Sequence, residues 1–352
     1  MGRDGRARLA LLPIPLLTWY GEEARDLPWR RDADPYRVWV SEIMLQQTRV
    51  GAVLGYFARF MEAFPTVEDL AAAPEERLMK LWQGLGYYSR ARNLQKAARQ
   101  IVEEHGGVFP ADYAALRRLA GVGDYTAAAI ASIAFGLPHP AVDGNLLRVT
   151  ARIAGDDTDV LSPAGKRRFT AALTEILPVD RPGAFNQAMM DLGATVCLPN
   201  GAPLCQECPM GEDCLARQHD TISELPVRKP KKPRRQEDMT VFLLSCGGKI
   251  ALERRPDQGL LAGLYQFPHL PGHLTPEEII GAAEQWGLQP QYLEKIVSRT
   301  HIFTHIQWNM QGARLHCGVE APQFLWAEPS ARDHALPTAF RQFLPDFQED
   351  AT

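Results

Sequence analysis

The spacing of apolar positions divides the chain into two textures. From Leu16 to about Gln218 apolar residues recur at helical spacing, punctuated by Gly and Pro, and alternating strand patterns are missing. An all-α region is predicted there. Ahead of it, basic residues 1–8 and apolar residues 9–17 imitate a secretory signal. Pro13 and Pro15 break that stretch and no small-residue cleavage site precedes Thr18, so it reads as the lead-in to a buried helix. Beyond residue 237 the pattern changes. Residues 239–245 and 250–253 predict paired strands around the turn Cys246-Gly247-Gly248. Residues 276–286 predict a helix starting at Thr275, and residues 314–319 and 324–327 predict further strands. Between the two textures lies Arg228-Lys229-Pro230-Lys231-Lys232-Pro233-Arg234-Arg235, too charged and proline-rich to pack. It is a solvated tether that can also touch phosphate. The predicted division is an all-α domain over 1–220, a basic linker over 221–237 and a mixed α and β domain over 238–352.

At 352 residues the chain can bury two cores of ordinary size. Its 45% hydrophobic and 23% charged residues are those of a soluble globular protein. No run of about 18 apolar residues exists to span a membrane, and an intracellular, nucleoid-associated location is expected. Charge adds little: the formal net charge is −4, with residues 238–352 at −5 and residues 1–237 at +1. No strongly basic domain shows in these totals, so any nucleic-acid contact must rest on local geometry.

Candidate chemistry begins with a carboxylate in apolar company. Asp34-Pro35 is a helix start, with Asp as cap and Pro at the first helical position. Glu42 lies three or four residues from Val38, Trp39 and Leu45 and shares their face. Buried there, its pKa would rise toward that of a general acid near neutral pH; at the edge of the stripe it would reach solvent instead. Asp143 contrasts with it. It follows Pro140-Ala141-Val142 and precedes Gly144-Asn145-Leu146, where a helix cap belongs, and helix amides favour its ionised form. A purely structural cap is the plain alternative. Taken together, the two environments push the carboxyls apart in pKa, the pattern of an acid paired with an electrostatic stabiliser. An oxocarbenium-like sugar needs both.

The segment Leu119-Ala120-Gly121-Val122-Gly123-Asp124-Tyr125 reads as helix, tight turn, helix, whose glycines and free amides suit a DNA phosphate. It belongs to the longer helix–hairpin–helix pattern. A related stretch is Gln83-Gly84-Leu85-Gly86-Tyr87-Tyr88, whose tyrosines either wedge into a base stack or pack in a core.

Six cysteines are present, four of them spaced Cys197-x7-Cys205-x2-Cys208-x5-Cys214. Four thiols in so short a stretch point to a metal in a reducing interior. Zinc and a [4Fe–4S] cluster both accept four Cys ligands; a single short Cys-x2-Cys pair favours the cluster, in a structural role.

These pieces together resemble the MutY family of adenine DNA glycosylases, within the endonuclease III superfamily. The resemblance runs from Leu27-Pro28-Trp29-Arg30, through Ser41-Glu42-Ile43-Met44-Leu45-Gln46-Gln47-Thr48 and Gly84-Leu85-Gly86-Tyr87-Tyr88, to Val142-Asp143-Gly144-Asn145 and the cysteines. Residues 255–268 and Phe303-Thr304-His305 resemble the family's oxoguanine-reading module. The implied fold is an all-α helix–hairpin–helix glycosylase domain with a four-cysteine cluster loop, followed by an α+β Nudix-like domain. The implied activity is hydrolysis of adenine mispaired with 8-oxoguanine or guanine in double-stranded DNA, by base flipping, in a monomer.

The resemblance also implies roles. Glu42 would protonate adenine at N7, and Asp143 would stabilise or trap the sugar cation, supported by Tyr125 and Asn145. Trp29 and Arg30 would line the adenine pocket. Gln47, Thr48, Leu85 and Tyr87 would invade the duplex, the turn Gly121-Val122-Gly123 would grip phosphate, and Phe303, Thr304 and His305 would read oxoguanine. Cys197, Cys205, Cys208 and Cys214 would hold the [4Fe–4S] cluster. Lyase relatives carry Lys where this chain has Tyr125, which forms no Schiff base, so base removal without efficient strand cleavage is expected. Three departures stand out. The first cysteine gap is seven residues where six is usual, Thr304 replaces Ser, and Asp124 and Ala120 differ from the usual hairpin residues. The helix at 276–286 lacks the Arg-Glu-x-x-Glu-Glu run of hydrolysing Nudix proteins, so nucleotide hydrolysis is not expected. Two rival readings remain, a glycosylase/lyase for oxidised pyrimidines and a non-catalytic iron–sulfur DNA-binding protein. Tyr125 and the second domain speak against the first, and Glu42 with Asp143 against the second.

Overall fold

The computed structural model describes residues 1–229, 233–256, 258–329 and 334–347. The chain falls into two compact units, Met1–Ala73 with Arg92–Pro230, and Pro74–Ala91 with Lys231–Thr352. Residues 74–91 thus leave the helical stretch read as 1–220 and join the C-terminal unit. In the basic segment 228–235, Pro230, Lys231 and Lys232 lie outside the described residues, and the first strand already begins at Arg235 within the 221–237 stretch read as linker.

The first unit is helical, as its apolar spacing predicts. The signal-like N-terminus forms two helices, Arg3–Leu11 and Pro13–Glu23, because Pro13 takes a first-turn position where no amide hydrogen is needed. Leu9, Leu12 and Leu16 are buried in the unit's core with Leu146, Val149, Ile153, Leu173 and Phe185. Asp34 caps the helix Pro35–Leu45 by accepting from the Arg37 amide at 2.9 Å. That helix packs on Asp124–Phe135, whose run of alanines allows close approach. The helix Pro182–Asp191 continues through one π turn, Leu192–Val196, into Cys197. Such single wide turns recur at functional sites.

The second unit is built on a mixed sheet. Its strands are β1 (Arg235–Cys246), β2 (Lys249–Arg254), β3 (Tyr265–Gln266), β4 (His269–Pro271), β5 (Pro290–Ile302), β6 (Ile306–Cys317) and β7 (Leu325–Ala327). Their order is β3-β2-β1-β6-β5, with β4 on β1 and β7 on β2. β1 and β6 run parallel from Arg235↔Ile306 to Ser245↔His316. Both faces of β1 are covered, which explains its continuous apolar run. Val241 and Leu243 face a core closed by Phe340, Phe343 and Phe347. Phe242 and Leu244 face Ile279 and Ala283 of the helix Pro276–Gln285, which Thr275 and Glu278 start as a reciprocal cap.

Candidate active site

The helix Pro35–Leu45 delivers Glu42 to the protein interior, where the residue is only 5% exposed. Burial dominates its chemistry and pushes its carboxyl from 4.5 up to about 7, against a hydrogen bond from Tyr125 and with the negative charge of Asp143 adding to the rise. Tyr125, in the first turn of Asp124–Phe135, donates from Oη to Glu42 Oε2 at 2.5 Å. Its own phenol is partly buried, and desolvation with the neighbouring Glu42 charge holds it well above its ordinary value, so it stays a donor.

Asp143 caps the helix Gly144–Ile153 and accepts from the amides of Asn145 and Leu146, both at 2.8 Å. Asn145 Nδ2 donates to its second oxygen at 2.8 Å. The expectation that helix amides alone would favour its ionised form needs correction. Enclosure by the rest of the unit raises Asp143 above its ordinary value, and the Leu146 and Asn145 donors offset only part of that. Glu42 is raised as well, so both carboxyls move in the same direction and the opposed shifts expected from the sequence are corrected to a shared upward one, driven by burial.

Both open onto one cavity of about 1020 Å³, lined also by Trp29, Arg30, Gln46, Gln47, Thr48, Gly121, Gly123, Tyr125 and Asn145. Val122 is buried beneath the turn and does not line it. Gly121 has φ +73°, and a Cβ there would strike the Asn93 side chain at 2.6 Å, so the turn requires glycine. The charge of Asp124 does not stand alone, because Arg117 Nε lies 2.6 Å from it. Gln47 has φ 58°, a left-handed conformation unusual for its type.

Sequence reasoning missed the pocket's ionic wall. Asp191, fully buried, receives Arg30 at 2.7 and 2.8 Å and Arg25 at 2.5 and 2.8 Å. Burial alone would raise its carboxyl, but the hydrogen bonds from Arg30 and Arg25 outweigh that and hold it below the ordinary value. An aspartate inside the apolar run Ala188-Met189-Met190-Asp191-Leu192 was the available signal. Arg148 was missed too. It donates to Asn145 Oδ1 (2.9 Å), the Gly193 carbonyl (2.7 Å) and the Cys197 carbonyl (2.8 Å).

Cys197, Cys205, Cys208 and Cys214 line a second, small cavity with Val149, Ile153, Leu192 and Arg152. Arg152 Nη1 lies 3.3 Å from Cys197 Sγ, and a Cβ on Gly211 would meet the Cys205 carbonyl at 2.5 Å. Burial pushes the Cys208 thiol up to about 12. Among the described residues no three His, Cys, Asp or Glu side chains converge as a metal-ion site; the four cysteines are among the residues that line this small cavity.

The remaining expected contact residues belong to the second unit. Leu85 is 7% exposed and Tyr88 is buried, whereas Tyr87 is 45% exposed with φ 48°. Tyr87 Oη and Thr304 Oγ1 share a hydrogen bond of 2.8 Å. Phe303 packs edge-on to His301 and Trp308, and Thr304 and His305 are exposed at the turn between β5 and β6. Of the resembling segment 255–268, Asp257 lies outside the described residues. Among the described residues no helix is long and apolar enough to cross a membrane.

Residues 40–178 match the family model of the HhH-GPD superfamily base excision DNA repair proteins, and residues 240–346 match the NUDIX domain. The chain is 37% identical to the adenine DNA glycosylase of Homo sapiens over 84% of its own length and 65% of that protein. It is 35% identical to the adenine DNA glycosylase of Rattus norvegicus over 95% of its own length and 77% of the relative. The solved structure of a thermostable thymine-DNA glycosylase superposes with a TM-score of 0.55 at 29% identity, covering 60% of this chain and 98% of the other.

Proposed function

The chain belongs to the adenine DNA glycosylases, and on that premise we propose that it hydrolyses the N-glycosidic bond of adenine opposite 8-oxoguanine or guanine in duplex DNA. Adenine must leave the stack before a buried acid can reach it, so the reaction proceeds by base flipping. The flipped base enters the cavity bounded by Trp29 and Arg30. Gln47, Thr48 and Tyr87 engage the opened duplex, Leu85 being buried in the unbound protein, and the amides and glycines at 121–123 hold phosphate. Phe303, Thr304 and His305 read the oxidised partner.

Glu42 donates a proton to adenine N7, which turns the base into a competent leaving group. A carboxyl near 7 is substantially protonated at neutral pH, which supports this role. As the C–N bond breaks, positive charge develops on the sugar, and ionised Asp143 stabilises it. Asn145 fixes that carboxylate by two hydrogen bonds, one from its amide and one from its side chain. Tyr125 keeps its proton and orients Glu42. Having no amine, it forms no Schiff base with the sugar, so the strand stays intact after base loss.

Cys197, Cys205, Cys208 and Cys214 would hold a [4Fe–4S] cluster. Their shared cavity, the close Arg152 and the tight approach at Gly211 fit such a group. When bound it supplies four iron–thiolate bonds that tie the cysteine loop together. Arg148 and Arg152 grip the backbone at the first ligand and just after it, donating to the Cys197 and Leu198 carbonyls.

The observation that carries this reading is the buried Glu42, bonded by Tyr125 and facing the cavity it shares with Asp143. Single-turnover release of adenine from a duplex holding adenine opposite 8-oxoguanine tests it, with Glu42→Gln beside the unaltered chain. Full activity in the variant would remove Glu42 as the acid. Adenine release with an uncut strand is the expected product pattern.

A further inference from the structure

Two cysteines stand outside the four-cysteine loop, and the sheet of the second unit brings them together. β1 ends at Cys246 and β6 ends at Cys317. The parallel ladder between these strands runs Leu244↔Leu315 and Ser245↔His316, so the next rung is Cys246 beside Cys317. Side chains alternate faces along a strand. Phe242 and Leu244 face the core that also holds Ala313 and Leu315, and Cys246 and Cys317 continue those two rows into the same core. Both are free thiols, Cys317 only 5% exposed and Cys246 partly exposed at the turn before Gly247.

We infer that Cys246 and Cys317 form a reversible redox pair that closes as a disulfide across the ends of β1 and β6. Neighbouring strands lie about 4.8 Å apart, inside the Cα window of roughly 4.4–6.8 Å that a disulfide accepts. Closure also requires the Cβ atoms to approach to about 3.8 Å, so the strand ends must draw in slightly. Both ends can give, because Gly247-Gly248 follows one cysteine and Gly318 the other. A bond made this way is strained, and strained disulfides are the reducible, regulatory ones.

The oxidant is a low-molecular-weight disulfide such as oxidised glutathione. The Cys246 thiolate attacks one of its sulfurs, forming a mixed disulfide and expelling one glutathione thiolate. Cys317 then loses its proton to solvent and attacks the Cys246 sulfur, expelling the second glutathione thiolate. Two protein thiols are oxidised and one glutathione disulfide is reduced to two thiols. The exposed thiol must act first, because burial raises Cys317 to about 11 and makes it the slower partner.

The test uses the full-length protein with its metal group in place, treated with graded oxidised glutathione, blocked by alkylation and digested without reductant. Mass spectrometry is expected to find the Cys246 and Cys317 peptides joined and lighter by two hydrogens, with the link undone by dithiothreitol. Cys317→Ala should leave Cys246 as a glutathione adduct, and Cys246→Ser should leave Cys317 unmodified. The inference is overturned if wild-type Cys246 accumulates only as the glutathione adduct. It is equally overturned if both thiols stay alkylatable while cysteines of the 197–214 loop oxidise.

Discussion

Tyr125 Oη donates to Glu42 Oε2 at 2.5 Å, joining the first turn of one helix to the last turn of another inside the cavity wall. The bond occupies one carboxyl oxygen as an acceptor and leaves the other to carry the transferable proton. Burial and this bond act in opposite directions on Glu42, and burial wins. The acid is therefore tuned by two residues whose helices meet only in the folded unit.

Glu42→Gln should trade activity for stability. Loss of a general acid costs about 10²–10⁴-fold in rate, read by single-turnover base release. The carboxyl rises from 4.5 to about 7 on folding, so the folded state binds the extra proton between those values. Stability therefore falls as pH rises through that window, by up to about 3 kcal/mol above pH 7. Gln cannot ionise and avoids this penalty. Denaturant melts at pH 8 and pH 5 should show the variant stabilised at the higher pH and little changed at the lower.

Tyr125→Phe should move the pH profile. Activity requires Glu42 protonated and Asp143 ionised, so the single-turnover rate should rise and then fall with pH. The falling limb lies near 7. The rising limb lies above where an ordinary aspartate would place it, because Asp143 is raised by burial. The phenol's hydrogen bond lowers Glu42, so its removal should shift the falling limb upward. An unmoved limb in Tyr125→Phe would separate the profile from Glu42.

How much of this was legible before folding varies residue by residue. The helical and mixed halves were visible because their periodicities differ, and Asp34, Asp143 and Thr275 announced helix starts through side chains that cap locally. The apolar neighbours of Glu42 marked its face. Whether that face was covered depended on the helix Asp124–Phe135, some 80 residues away, and the sequence reading left it open. Asp143 shows the converse: its cap was readable, but the burial that raises it comes from distant elements. β5 escaped notice because none of its thirteen residues is fully buried, so its inward positions carry no run of strongly apolar side chains to mark a strand. Residues 74–91 joined the second unit through contacts such as Gln83 Nε2 to the Leu336 carbonyl, across 253 residues of sequence.

Arg148→Met should weaken both site and fold. The guanidinium is buried and bonded to Asn145 Oδ1 and to the Gly193 and Cys197 carbonyls. Methionine retains much of the aliphatic stem but leaves these acceptors unpaired, at about 1–3 kcal/mol for a buried group. Denaturant unfolding should show a loss of roughly 2–4 kcal/mol. Base release should slow at saturating enzyme, because Asn145 loses the contact that steadies it against Asp143. A variant as stable and as fast as the parent would show these bonds to be replaceable by water.

Tyr87 and Thr304 are proposed to meet the lesion, yet in the unbound protein they are hydrogen-bonded to each other. Entering DNA must break that bond, which costs about 0.5–1.5 kcal/mol before any new contact forms. The pair is exposed, so the lower part of that range applies. Tyr87→Phe keeps the stacking ring and removes only the hydroxyl. Its Kd for a duplex with adenine opposite 8-oxoguanine should fall by about two- to threefold, measured by fluorescence anisotropy at fixed salt. Tyr87→Ala should bind more weakly, because the ring is lost along with the hydroxyl. Thr304→Ser retains a hydroxyl for the bond and should leave affinity near the parent value, changing chiefly the preference between guanine and 8-oxoguanine partners. Weaker binding by Tyr87→Phe would mean that the phenol hydroxyl contacts DNA directly and that its bond to Thr304 is incidental.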